Sequence, residues 1–295
     1  MKKFIIEARI NEYTMRDGNR HVPWTPEEIA RTAAECREAG ASIVHFHSRK
    51  PDGSAEFGYE TYRETIARIR ELSDILVNPT LGAFDRQETA QGRLEHVLRL
   101  AAEGLAPDFA PMDMGSTNAD RIDPATGWFK TDTRVYTNSI ATLKYFAHSM
   151  RSAGIKPQLV NWNLPMLRTA DAFLNAGLID SPAYVYLGMS AASLAHHPLT
   201  PEGLAAYLPF LPAVPHEWTV ATTGGSLLPF IEQIATAGGH ISLGLGDHHY
   251  RELGEPTNAE LIGRVAAMAK EYGRDIATPA ETRSMLKMAA ATVTA

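Results

Sequence analysis

Apolar side chains recur along this chain with two periods that take turns. Short runs that are continuously apolar or alternate by two predict strands, and longer runs with helical spacing predict helices between them. The first kind lies at Phe4–Asn11, Ala41–Arg49, Ile75–Thr80, Asp108–Met114, Gln158–Asn163, Ala183–Met189, Trp218–Thr223 and His240–Asp247. The second lies at Pro26–Ala39, Tyr62–Leu72, Gly92–Glu103, Ile140–Ala153, Met166–Ala176, Pro201–Phe210, Leu228–Ala237 and Ala259–Tyr272. Thr25-Pro-Glu-Glu28 and Thr257-Asn-Ala-Glu260 place a hydroxyl cap three residues before a glutamate, which marks helix starts. Eight strand–helix units with short links predict an α/β protein, a (β/α)8 TIM barrel in which residues 1–295 form one domain. An open doubly wound sheet would need a switch in strand order that the pattern does not contain.

The strand faces suggest chemistry. In the first strand Ile6, Ala8 and Ile10 can pack under helices while Glu7, Arg9 and Asn11 point into the barrel, with Glu12 just beyond. The same alternation turns His45, His47 and Arg49 inward, with Asn78 and Thr80, Pro111 and Asp113, Asn161 and Asn163, and Tyr184 and Tyr186. A buried polar group without a partner costs roughly 1–3 kcal/mol, so this many convergent ones imply mutual pairing, water, a metal or a ligand. His45 and His47, two apart on one strand, can both reach one divalent ion. A guanidinium at Arg49 could then hold the anionic end of a ligand. Glu7, Arg9, Asn11, Glu12, Asn78, Thr80, Asp113 and Asn163 are candidate substrate-binding residues. Segments 115–137 and 190–199 exceed a usual connection and follow barrel strands, on the face where such barrels keep their active sites.

Charge and composition narrow the partners and the compartment. A net charge of -6 argues against nucleic acid or an anionic membrane as partner. One cysteine, Cys36, excludes an internal disulfide and suits a reducing compartment. Met1-Lys-Lys-Phe-Ile-Ile6 runs straight into Glu7 and Arg9, unlike a signal peptide. No apolar run approaches the ~20 residues of a membrane span, so a soluble cytoplasmic protein is expected. Gly224-Gly225 and Gly238-Gly239 are two-glycine turns and not a phosphate-binding fingerprint.

Thr25-Pro-Glu-Glu28 followed by Glu38-Ala-Gly-Ala-Ser-Ile-Val-His-Phe-His-Ser-Arg-Lys-Pro-Asp-Gly53 resembles the β-keto acid cleavage enzymes. The likeness continues through Ala237-Gly-Gly-His-Ile-Ser-Leu-Gly-Leu-Gly-Asp247, Thr257-Asn-Ala-Glu260 and Ala277-Thr-Pro-Ala-Glu281. It implies a TIM barrel, Zn²⁺ on His45 and His47, and a homo-oligomer, dimer or tetramer. It also implies a reaction of a 3-keto acid with acetyl-CoA that yields acetoacetyl-CoA and a new acyl-CoA. Asp247 is then the catalytic base toward the acetyl methyl, and Arg49 or Arg9 neutralises the acid. Asn78, Thr80 and Asn163 are the expected donors to an enolate oxygen.

The chain departs from that family at the end of its last strand. A glutamate that ligates zinc there corresponds to Gly246, an arginine earlier on the strand to Ser242, and the Ser/Thr-Gly-Gly turn after the third strand to Asn78-Pro-Thr-Leu-Gly82. Gly246 would leave a side-chain-sized space, which His248, two residues on, is expected to fill as third metal ligand. Asp247, Glu7 and Asp113 are weaker candidates for that place. The same residues also suit a metal-dependent barrel lyase, aldolase or hydrolase that uses no CoA, or a barrel that binds a metal or ligand without turnover.

Overall fold

The computed structural model describes residues 2–82, 89–123 and 125–289. All eight expected strands form, as β1 (Ile6–Arg9), β2 (Ile43–Phe46), β3 (Leu76–Pro79), β4 (Phe109–Asp113), β5 (Lys156–Asn161), β6 (Ala183–Ser190), β7 (His216–Thr223) and β8 (His240–Leu243). They are parallel and ordered β3-β2-β1-β8-β7-β6-β5-β4. The seam between β3 and β4 is closed by two bonds, Asp108 N to Val77 O at 3.0 Å and Val77 N to Asp108 Oδ2 at 2.7 Å. Pro79 and Pro111 lack the N–H that a longer ladder would need there. The protein is a (β/α)8 barrel.

The helices follow the apolar stripes: α1 (Pro26–Ala39), α2 (Tyr59–Leu72), α3 (Ala90–Ala102), α4 (Ile140–Ser152), α5 (Leu164–Asn175), α6 (Pro201–Ala205), α7 (Ile231–Thr236) and α8 (Asn258–Glu271). Both expected capping boxes are present, and Gly40 at φ 119° ends α1 in the left-handed region. The stretches foreseen as helices at Pro201–Phe210 and Leu228–Ala237 are each broken, with 3-10 turns at Leu208–Phe210 and Leu228–Phe230. Pro209 and Pro229 disfavour a continuous α-helix at these points. A further helix, α9 (Pro279–Met285), was not foreseen, although Thr278 and Glu281 form its capping box.

That extra helix helps determine which end of the barrel is open. Ile5, Ile43, Leu76, Phe109 and Tyr184, near the strand starts, form a separate apolar cluster with Ala277 and Leu286 from the α9 region. The N-terminal mouth is plugged in this way, and the polar inward residues collect toward the strand C-termini. Among the described residues no helix is long and apolar enough to cross a membrane.

Candidate metal centre and active site

Next above the apolar plug lies a polar floor centred on Glu7, which is fully buried. Its carboxylate accepts from Asn78 Nδ2 at 2.7 Å, Gln158 Nε2 at 2.7 Å, Ser242 Oγ at 2.9 Å and Tyr184 OH at 3.4 Å. Such a network is stabilising only while every member is satisfied. Glu7→Ala would strand several donors, so urea denaturation is expected to read a loss of about 3 kcal/mol.

Above the floor, β1 and β2 pair in the register Arg9↔His45. The ladder stops at Phe46, yet His47 keeps its extended direction because Asn11 grips its backbone. Asn11 Oδ1 accepts from His47 N at 2.9 Å, and Asn11 Nδ2 donates to His47 O at 2.8 Å. The two imidazoles therefore stay on one side, with ring centroids 5.3 Å apart. Beyond β1 the backbone turns at Glu12 with φ 39°, a left-handed conformation that costs a non-glycine residue on the order of 1–3 kcal/mol. This turn sends the Glu12 carboxylate back over the histidines.

Glu12 Oε2 lies 2.6 Å from His47 Nε2, and Oε1 lies 3.1 Å from His45 Nε2 and 2.5 Å from an Arg9 terminal nitrogen. One ligand atom from each of Glu12, His45 and His47 can be chosen with all separations within 4.8 Å, and among the described residues this is the group that could hold a metal. Glu12 Oε1 is buried, and with Arg9 and His45 close by it accepts no hydrogen bond of normal geometry. An orphaned carboxylate oxygen beside two imidazoles is what a divalent ion would satisfy, so the residues fit such a group. Burial opposes the Glu12 charge, but Arg9, His47 and His45 outweigh it and hold the carboxyl well below the usual range. Burial lowers the His47 pKa, which favours the neutral imidazole a metal requires.

The expected third ligand is not where the sequence put it. β8 ends at Leu243, and the chain turns, with Asp247 N and His248 N both donating to Gly244 O at 3.1 and 3.4 Å. His248 is thereby carried outward to Glu252, its Nε2 3.1 Å from Oε1, and does not meet His45 or His47. The space at Gly246 is filled from the neighbouring strand: a Cβ there would come within 2.5 Å of Glu12 Cγ. The same exchange applies to the missing arginine. Ser242 donates to Glu7, while Arg9 on β1 reaches Asp247, Nε to Oδ1 at 3.0 Å. A carboxylate and a guanidinium that the resemblance assigns to the last strand are thus supplied by the first, its parallel neighbour.

A cavity of about 390 Å³ opens onto this cluster, and Arg9, Glu12, His45, His47, Thr80 and Asp113 are in its wall. Burial raises the Asp113 pKa against the hydrogen bond it accepts from Tyr136 and the nearby Arg93. Asp247 is fully buried by its side chain, behind Arg9 and outside the lining. Burial, opposed by Arg9, pushes its pKa up to about 8, and its Oδ2 has no partner.

Other expected positions serve the scaffold. Arg49 does not enter the cavity. Its guanidinium donates to Gly53 O at 2.7 Å, to Thr14 O at 3.1 Å and to Glu12 O, because the strand ends before it. Asn78 is engaged by the floor. Asn163 caps α5, accepting from Met166 N at 3.1 Å, and donates to Ala195 O. The inward face of β5 is the opposite of the expected one: Gln158, Val160 and Trp162 line the cavity, while Asn161 bonds backbone oxygens of Leu159 and Tyr186. Sequence reasoning also missed Arg93 on α3, Arg121, Arg134 and Tyr136 after β4, and His196 after β6. The length of the segments 115–137 and 190–199 was the available signal for the last four.

Two imidazoles and a carboxylate that could hold a divalent ion meet at the wall of a cavity toward the C-terminal ends of the strands of a (β/α)8 barrel, where enzymes of this fold keep their active sites. Comparison places the chain further. It belongs to the β-keto acid cleavage enzymes, whose family profile matches residues 3–288. It is 32% identical over 299 residues to the 3-keto-5-aminohexanoate cleavage enzyme of Fusobacterium nucleatum, covering 98% of this chain and 99% of that one. It is 29% identical over 273 residues to the 3-oxoadipate:acetyl-CoA acetyltransferase of Cupriavidus necator, covering 91% and 88%. The solved ternary complex of ObcA with a C4-CoA adduct and oxalate superimposes with a TM-score of 0.70 at 15% identity, over 91% of this chain and 68% of that one. At that identity the likeness speaks for the fold alone.

Proposed function

We propose that this protein is a Zn²⁺-dependent enzyme that cleaves a 3-keto acid with acetyl-CoA as co-substrate. The observation that carries the reading is the Glu12–His45–His47 cluster at the cavity wall of a chain that matches the family from residue 3 to 288. When bound, the ion would act as a Lewis acid toward the ketone and carboxylate oxygens of the substrate. Arg9 faces the same space and adds positive charge where the acid's carboxylate must sit. Thr80 Oγ1 accepts from Gly82 N at 3.1 Å, which leaves its O–H to donate into the cavity.

Two parts of the expectation from sequence change. One CoA enters, so one thioester leaves, and acetoacetyl-CoA together with a second acyl-CoA does not balance. The acetyl methyl is also the wrong acid, since C2 of a 3-keto acid is flanked by both its ketone and its carboxylate. Asp247 Oδ2 takes the C2 proton through one water, because it lies behind the cavity wall. C2 then attacks the thioester carbonyl and CoA thiolate departs. The thiolate adds to the ketone carbon, the C2–C3 bond breaks, and C2 regains the proton. Acetoacetate and one new acyl-CoA result. The name of the Cupriavidus relative describes the same acetyl transfer for that protein.

The test is a panel of 3-keto acids given to zinc-loaded protein with and without acetyl-CoA, with both products measured. Paired formation of acetoacetate and acyl-CoA only with acetyl-CoA is expected. Cleavage at an unchanged rate without it would move the assignment to a lyase. The reading includes a homo-oligomer, which light scattering checks.

A further inference from the structure

When C2 attacks the acetyl thioester, the proposed reaction puts negative charge on the former carbonyl oxygen, and an oxyanion in a buried cavity needs a donor already in place. Several polar groups of the wall are engaged elsewhere. Tyr136 donates to Asp113, Arg93 to Asn138 Oδ1 at 2.9 Å, and Arg9 to Glu12 and Asp247. Tyr186 differs. Its side chain lines the cavity and the residue is 3% exposed, yet no described residue accepts a hydrogen bond from its O–H. Nor is that oxygen sealed into the core, so it opens to the cavity.

β6 puts this phenol beside the reacting carbons. Tyr184 and Tyr186 share its inward face, and the lower one, Tyr184, donates to Glu7 in the floor at 3.4 Å. Tyr186 stands one layer higher against Arg9, whose guanidinium carbon lies 5.4 Å from the centre of its ring. The same guanidinium is 2.5 Å from Glu12 Oε1 and 3.0 Å from Asp247 Oδ1, so the metal cluster, the base and the phenol surround one group. C2 has to be within reach of the cluster through its ketone and of Asp247 through one water, and hence next to Arg9. The acetyl carbonyl that C2 attacks then comes up against Tyr186. Gly188 leaves room for the ring, since a Cβ there would come within 3.2 Å of Tyr186 Cε1 and 2.9 Å of His196 Cδ2. Burial raises the phenol's pKa against the pull of Arg9, so it keeps its proton at neutral pH.

We infer that Tyr186 is a further catalytic residue of this cavity, the hydrogen-bond donor to the oxygen of the acetyl thioester under attack. Its role rests on the keto acid reading above and adds a residue to it. The electron pair of the C2 carbanion forms the new C–C bond while the carbonyl π pair moves onto the oxygen, which accepts from Tyr186 without taking its proton. The pair then returns, the C–S bond breaks and CoA thiolate leaves. A hydrogen bond that strengthens as this charge develops lowers the barrier and adds little to ground-state binding.

Two rates test this in zinc-loaded wild type and Tyr186→Phe, with the 3-keto acid that turns over fastest in the panel. One is acetyl transfer from acetyl-CoA; the other is exchange of the C2 protons for solvent deuterium without acetyl-CoA, followed by NMR above the spontaneous rate. Exchange needs the metal cluster and the base but forms no acetyl oxyanion. In Tyr186→Phe transfer is therefore expected to fall about 10²- to 10³-fold, the range for loss of one oxyanion donor, with exchange within about threefold of wild type. The ratio of the two is read, because misfolding would lower both alike. An unchanged ratio would overturn the inference, whether both rates hold or both fall. The same selective loss in Thr80→Val but not in Tyr186→Phe would overturn it in favour of Thr80. A wild type that fails in either rate would contradict the proposed reaction, and this inference with it. A wild type that performs both, with the ratio intact in Tyr186→Phe, would refute this inference alone.

Discussion

Asp247→Asn is expected to lower kcat by about 10²- to 10⁴-fold with zinc content unchanged, the range typical of losing a general base. The amide keeps the shape and the bond from Arg9 but cannot accept a proton at Oδ2. The pH dependence should have a definite sign. Burial raises this carboxyl to about 8, so at lower pH it holds a proton and cannot act as base. In the wild type kcat should therefore rise with pH, with an inflexion at or below about 8, because a dication nearby lowers the midpoint. The Asn variant should lose that inflexion. Asp113, the other carboxyl raised by burial, is the control: if Asp113→Asn costs more than Asp247→Asn and removes the inflexion, the base is Asp113.

Glu12→Gln should weaken zinc binding by well beyond the roughly 10–100-fold that follows loss of a residue supporting a ligand from behind. His45→Ala and His47→Ala should do the same. His248→Ala should leave zinc affinity within about threefold, because its ring lies on Glu252, away from the cluster. Gly246→Ala provides an independent check without removing any ligand. Its methyl would meet Glu12 Cγ at 2.5 Å and Arg9 O at 2.9 Å, forcing the carboxylate off the histidines. Overpacking of this kind costs about 1–3 kcal/mol of stability, and zinc affinity should fall with it. Competition with a chromogenic chelator measures every variant. Full affinity in Glu12→Gln would remove Glu12 from the metal shell.

The barrel could be read from the chain because its signals are local and repeated: period-two strands, period-3.6 helices, and caps at their ends. His45 and His47 were visible for the same reason, since two-residue spacing on a strand fixes a shared face. Legibility failed where strands stopped. Arg49 lies past the last paired residue of β2 and turns to loop carbonyls. His248 follows a turn at Gly244 that no alternation predicts. On β5 the polarity of Asn161 and Asn163 suggested the wrong face, whereas Leu159 packs in the outer core and Val160 and Trp162 face the cavity. Glu12 was placed with the substrate-binding residues and not beside His45 and His47, because its direction depends on a positive φ and on an absent side chain at residue 246. Such a relation between β1 and β8 is set by tertiary contact and leaves no periodic trace. Arg93 and His196 arrive from a helix and a long connection, which pattern alone cannot aim.

The proposed chemistry is tested most directly by following the acetyl carbons. Zinc-loaded protein is given acetyl-CoA labelled with carbon-13 in its acetyl group and an unlabelled 3-keto acid, and both products are analysed by mass spectrometry. The account predicts both labelled carbons in acetoacetate and an unlabelled new acyl-CoA. Label retained in the acyl-CoA product, or acetoacetate formed without it, would contradict the account.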